Sequence, residues 1–175
     1  MKRHIRMDNN KLWLTWIPAL LIMVMIFMFS MENGNQSSDL SGSLTKSMVE
    51  AVIDAIDLEL TQAKEANIIE LIHTPIRKVG HLTEYALLGI AVSFPLLLKH
   101  GLKGKRRFIT GLLICTLYAA TDEIHQLFVP GRSGMVTDVL IDALGAGLGI
   151  LLFQGIHSLK LSLKKSHKIP IDKVV

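Results

Sequence analysis

The sequence predicts an all-α, polytopic membrane protein with four transmembrane helices and one outer amphipathic helix. Three observations carry this. Half of the 175 residues are hydrophobic. The apolar residues come in long runs and not at alternating or amphipathic spacing. Four runs, Leu12–Met31, Val79–Leu98, Phe108–Val129 and Met135–Ile156, approach the ~20 residues a helix needs to cross a bilayer core. The corresponding division is 1–31 for the N-terminus and anchor helix, 32–75 for an outer linker and amphipathic helix, 76–156 for a three-helix membrane core, and 157–175 for a basic tail.

The first run has no charged residue and follows Lys2, Arg3, Arg6 and Lys11. A secretory signal has an h-region of ~7–15 residues and then a small-residue cleavage site. This run is longer and ends Met-Phe-Ser-Met-Glu-Asn, so it reads as an uncleaved anchor. Pro18 falls in its first third, where a helix bends and neighbouring groups can satisfy the freed carbonyl.

Residues 33–43, rich in Gly, Ser and Asn, read as a flexible outer linker. Ser47-Met-Val-Glu50 has the form of a capping box, and apolar residues recur at Val49, Val52, Ile53, Ile56, Leu60 and Ala63. The pattern predicts an amphipathic helix from about Met48 to Ile72, with a break near Thr61 or Asn67 and an end at Thr74, which Pro75 biases away from helical dihedrals. Its charged face is acidic (Glu50, Asp54, Asp57, Glu59, Glu65, Glu70) with Lys64 as the exception. A helix binding anionic lipid carries Lys and Arg there instead. Packing over the outer mouth of the bundle fits better, as a stabilising strap or as a lid.

The remaining runs are hydrophobic but carry polar residues at one end. In the fourth, Gly145-Ala-Gly-Leu-Gly149 holds a G-x-x-x-G pair that lets helix backbones approach closely, and it reads as packing within the bundle. Cys115 is the single cysteine. No intramolecular disulfide is possible, and its place within the third run suits a packing residue.

Lysines and arginines set the orientation. The N-terminal flank, the loop Lys99–Arg107 and the tail from Lys160 hold 14 of the 19. Lys46, Lys64, Arg77, Lys78 and Arg132 fall on the other side. The positive-inside rule therefore predicts that both termini are cytoplasmic. The net charge of +4 is explained by these flanks, which anionic lipids attract, so nucleic acid is not an expected partner.

Ten polar side chains gather at the ends predicted to face outward. Lys78, His81 and Tyr85 are spaced i, i+3, i+7 and form one stripe, with Glu84 on its edge. Asp122, His125 and Gln126 share a face, and Glu123 points further round. Asp138 and Asp142 are i, i+4. Each set spans only ~6–10 Å of depth. Between the third and fourth runs, Phe128-Val-Pro-Gly-Arg-Ser-Gly134 reads as a tight turn centred on Pro130 and Gly131. That turn places Arg132 at the rim, where a guanidinium can hold the acids through forked hydrogen bonds or grip a ligand's phosphate or carboxylate. A charge near hydrocarbon costs roughly 2.5–3.5 kcal/mol on insertion scales, so such groups face a bundle interior or a wet cavity.

Taken in order, Lys78-x-x-His81-x-x-Glu84-Tyr85-x-x-Leu88 and Asp122-Glu123-x-His125-Gln126-x-Phe128-x-Pro130-Gly131-Arg132, followed by Asp138 and a Gly-rich run, resemble the VanZ-like family of bacterial membrane proteins. The resemblance covers roughly residues 75–155. Asp142 departs from it, standing where an asparagine is expected, and residues 32–74 carry no matching motif. The resemblance implies a small integral protein of the bacterial cell membrane, in a family linked to glycopeptide susceptibility. It implies no particular reaction.

Several chemistries remain open to the cluster. In a binding module it would recognise the head group of a lipid or lipid-linked envelope precursor, with Lys78 and Arg132 as cationic contacts and the acids as hydrogen-bond acceptors. In an enzyme, adjacent carboxylates cannot both ionise cheaply, so one would serve as an acid beside His81 or His125; no nucleophile, G-x-S-x-G or H-E-x-x-H accompanies them. His81-x-x-Glu84 alone is a weak metal motif, so neither a metal nor a cofactor is expected, and cross-helix bonds from the histidines to carboxylates are preferred. Proton-coupled transport would call for an ionisable group at mid-depth, and none is present. A network that only specifies helix packing is the competing reading.

Overall fold

The computed structural model describes residues 9–31, 34–58 and 60–166. All regular structure among them is helical. A 3-10 segment, Asn9–Trp16, leads into α1 (Ile17–Met31); α2 (Gly34–Ala55), α3 (Gln62–Leu98), α4 (Gly104–Gln126) and α5 (Val136–Ser166) follow. Lys2, Arg3, Arg6, Lys168 and Lys173, used for the orientation, lie outside the described residues.

Three stretches are long and apolar enough to cross a membrane: Leu12–Met31, Gln62–Leu98 and Val136–Lys164. The third expected span, Phe108–Val129, does not meet that measure. It lies on α4, whose apolar middle is bracketed by Lys105, Arg106 and Arg107 at one end and Asp122, Glu123 and His125 at the other. The helix also stops earlier, at Gln126, where Leu127–Gly131 turns. That turn is as expected: Arg132 N–H donates to the Val129 carbonyl (3.2 Å), and Gly131 has φ 75°, the left-handed conformation a type II turn demands after proline.

The segment after α1 differs from expectation in two ways. The predicted linker is helical from Gly34 onward, so Ser47–Glu50 lies inside α2 and caps nothing. Serine, asparagine and glycine weaken a helix by only about 0.5–1 kcal/mol each. Packing overrides that cost: Thr45 and Val49 are buried, Gly42 and Ile53 half-buried, all on one stripe. The helix expected from Met48 to Ile72 is divided, α2 ending at Ala55 and α3 beginning at Gln62, at the first of the two predicted breaks. Finally, Pro75 does not end a helix. α3 runs through both Pro75 and Pro95 to Leu98, each proline forgoing one backbone hydrogen bond within a helix otherwise held by its neighbours.

α2 packs on α3. On α3, Glu65, Ile69, Ile72 and Ile76 are half-buried at helical spacing, and the short connection makes the pair antiparallel.

The core forms where α3 meets α1, α4 and α5. Tyr85, Leu88, Val92 and Leu96 on α3 are buried with Cys115 and Ala119 of α4, Ala146 and Ile150 of α5, and Ala19 and Ile26 of α1. α3 and α5 make the most extensive helix pair, and glycine is the reason. A methyl group on Gly145 would overlap the Leu82 carbonyl, and one on Gly149 the Ala86 carbonyl. The G-x-x-x-G pair thus packs inside the bundle, as expected. Because 82 meets 145 and 86 meets 149, α3 and α5 run parallel in fixed register.

Candidate functional site

The register of α3 and α5 brings His81 to Asp142. The imidazole Nδ1 and Asp142 Oδ1 are 3.6 Å apart, too far for a hydrogen bond. Asp142 is wholly buried, and neither of its carboxylate oxygens has a hydrogen-bond partner. Tyr85, one turn further along the His81 stripe, is also fully buried, with its hydroxyl unpartnered. Glu84 on the stripe's edge is half-buried, as is Lys78, which forms no ion pair among the described residues. The predicted stripe therefore exists, but its deeper members are sealed within the bundle.

α4 contributes the opposite wall. Its buried face runs Arg107, Gly111, Cys115, Ala119, Asp122, Gln126, with Glu123 also buried. Gln126 Nε2 donates to Asp122 Oδ2 at 3.2 Å, one turn back on the same helix. Glu123 reaches across to α5, accepting the Met135 backbone N–H at 2.8 Å. It lies further round α4 than Asp122 and is nonetheless buried, because the α4–α5 loop folds back onto α4: a side chain on Gly134 would overlap the Glu123 carbonyl. A carboxylate here caps the start of α5, where backbone N–H groups and the helix dipole favour negative charge. Asp138, in the first turn of α5, is buried too. The other Glu123 oxygen and Asp122 Oδ1 remain without hydrogen-bond partners.

The two remaining predicted residues turn toward α1. Arg132 donates from its guanidinium to the Phe29 carbonyl at the end of α1 (2.9 Å), while its charge also acts on Glu84, Glu123 and His81. It is thus the rim cation expected, anchored by a backbone carbonyl. His125 does not hydrogen-bond a carboxylate; its ring lies 4.8 Å from that of Phe27, and its Nδ1 is unpartnered.

α1 supplies groups that the sequence did not single out. Ser30 is buried beside Asp122, and the Tyr118 hydroxyl of α4 donates to the Met23 carbonyl, with its ring 6.3 Å from that of Tyr85. Tyr118 was findable, since it stands four residues before Asp122 on the same face. Ser30 was not, because nothing in a uniform apolar run fixes which side meets α4. At the opposite end, Arg107 is buried with its charge 5.1 Å over the Phe153 ring, although the sequence offers it as one of several loop cations.

The arrangement is thus a set of helices long and apolar enough for a membrane, with an acid-rich, largely buried polar site closing one end. Among the described residues no three His, Cys, Asp or Glu side chains converge as a metal ion requires. The chain belongs to the VanZ/LLP1 family, whose model matches residues 15–158, and it is a VanZ-like membrane protein. No curated protein and no solved structure matches it.

Proposed function

We propose that the polar end of the bundle faces outward from the bacterial cell membrane and recognises the head group of a lipid or lipid-linked cell-envelope precursor, and that this is how the protein would influence glycopeptide susceptibility. In this reading α4 is a fourth crossing, its two charged ends lying at the two membrane surfaces, and both termini are cytoplasmic by the placement of lysine and arginine. One observation carries the proposal. Polar atoms of Tyr85, Asp122, Glu123 and Asp142, from three helices, are buried and yet lack hydrogen-bond partners within the protein. A network serving only helix packing would satisfy its own members, because each unmet buried group costs about 1–3 kcal/mol. Lys78 and Arg132 at the rim supply the cationic contacts a phosphate would use.

Native mass spectrometry of the gently purified protein beside its Arg132→Ala variant tests this. The expected result is a co-purifying lipid mass on the wild type that is lost from the variant. Bare protein in both would transfer the polar network to a structural or partner-binding role.

A further inference from the structure

We infer, resting on the head-group reading above, that the ligand is zwitterionic, with a primary ammonium seated against the buried carboxylates and its phosphate held at the Arg132 rim. Five carboxylates, Glu84, Asp122, Glu123, Asp138 and Asp142, meet from three helices, and the other four all act electrostatically on Asp142. Asp142 is wholly buried with both oxygens unpartnered. The His81 imidazole stops 3.6 Å from it, and Arg132 donates to the Phe29 carbonyl. A buried carboxyl group without partners is costly in either protonation state, and a partner that brings positive charge and hydrogen-bond donors favours its ionised form and relieves that cost.

The geometry selects among cations. A metal ion draws its ligands onto one point at ~2.0–2.6 Å, and no such convergence exists among the described residues. A primary ammonium has three donors that reach separate acceptors at ~2.7–3.2 Å. Asp142, Asp122 Oδ1, one Glu123 oxygen and the Tyr85 hydroxyl, from three helices, are buried acceptors without a partner. A simple anionic head group would instead set its charge against this acidic floor. The positive rim above the negative floor therefore matches an aminoalkyl phosphate, entering amine first.

The test uses the purified full-length protein in detergent, with the rise in Tm followed as ligand is titrated in, since a ligand bound to the folded state stabilises it. The probes are phosphatidylethanolamine, phosphatidylcholine and phosphatidylglycerol with matched dioleoyl chains, and free phosphoethanolamine. Expected is an apparent Kd for phosphatidylethanolamine about tenfold or more below those of the other two lipids, because phosphatidylcholine keeps the charge without N–H donors and phosphatidylglycerol has no amine. The preference should vanish in Asp142→Asn and in the less buried Glu84→Gln; should Asp142→Asn fail to fold, the wild-type ratio and Glu84→Gln still decide. Equal affinities for the three lipids, or a preference retained in the variants that fold, overturn the ammonium inference and leave the head-group reading standing. No response to any probe overturns the ammonium inference, and with it the head-group reading for membrane phospholipids. Free phosphoethanolamine matching the lipid upholds the ammonium and removes the membrane lipid as its source.

Discussion

Neighbouring residues of like chemistry do different work in this site, and Asp122 and Glu123 show it. Asp122 is bonded within its own helix by Gln126, whereas Glu123 holds the start of α5 through the Met135 N–H. Glu123→Ala should therefore lower stability by about 1–3 kcal/mol, the cost of an unmet buried donor, while Glu123→Gln, which keeps an acceptor oxygen, loses much less. Thermal unfolding in detergent measures both, and equal losses would show that the charge and not the acceptor holds the loop. The sequence made the cluster visible because carboxylates and histidines stand out in apolar runs, and helical spacing groups them by face. Spacing describes one helix at a time. It could not say that Gly134 lets the loop fold back and bury Glu123, that His125 would meet Phe27, or that Arg132 would find a carbonyl on α1 some hundred residues earlier in the chain.

At the scale of the elements, the turn between α2 and α3 is closed by a backbone motif that favours glycine. Leu58 N–H donates to the Ile53 carbonyl (3.1 Å) and Asp57 N–H to that of Asp54 (3.4 Å), the two bonds of a Schellman ending. Asp57 takes the left-handed position with φ 51°. Asp57→Gly should raise stability by about 1 kcal/mol by removing the Cβ penalty, seen as a higher Tm with unchanged helical circular dichroism. A lower Tm would mean that the aspartate side chain contributes more than its backbone conformation costs. The apolar helices were legible because ~20-residue runs admit few alternatives. The outer segment was less so. Its glycines and serines suggest a loop, and only the burial of Thr45 and Val49 against α3 reveals why they are helical. Pro75 likewise reads locally as a boundary, although α3 continues through it.

For the whole molecule, the ordering of basic residues and the parallel course of α3 and α5 lead to one topological prediction. In a Cys115→Ser background, Ser133→Cys should react with a membrane-impermeant maleimide on intact cells, and Lys164→Cys only after the membrane is opened. The opposite pattern would reverse the proposed orientation. The membrane class was legible from composition, and the family from the order of polar residues, but which helices touch was not: it depends on glycines 145 and 149 admitting α3 to backbone distance. That arrangement also constrains how the chain is made. Glu84, Asp122 and Asp142 sit on three helices that emerge from the ribosome in sequence, and the last of the three carries both the glycine face and the aspartate that lies 3.6 Å from His81. Until α5 arrives, Glu84 and Asp122 lack the wall it supplies, so the nascent chain must keep them near water or in the insertion machinery. The emergence of α5, more than any earlier step, is when this protein becomes compatible with lipid.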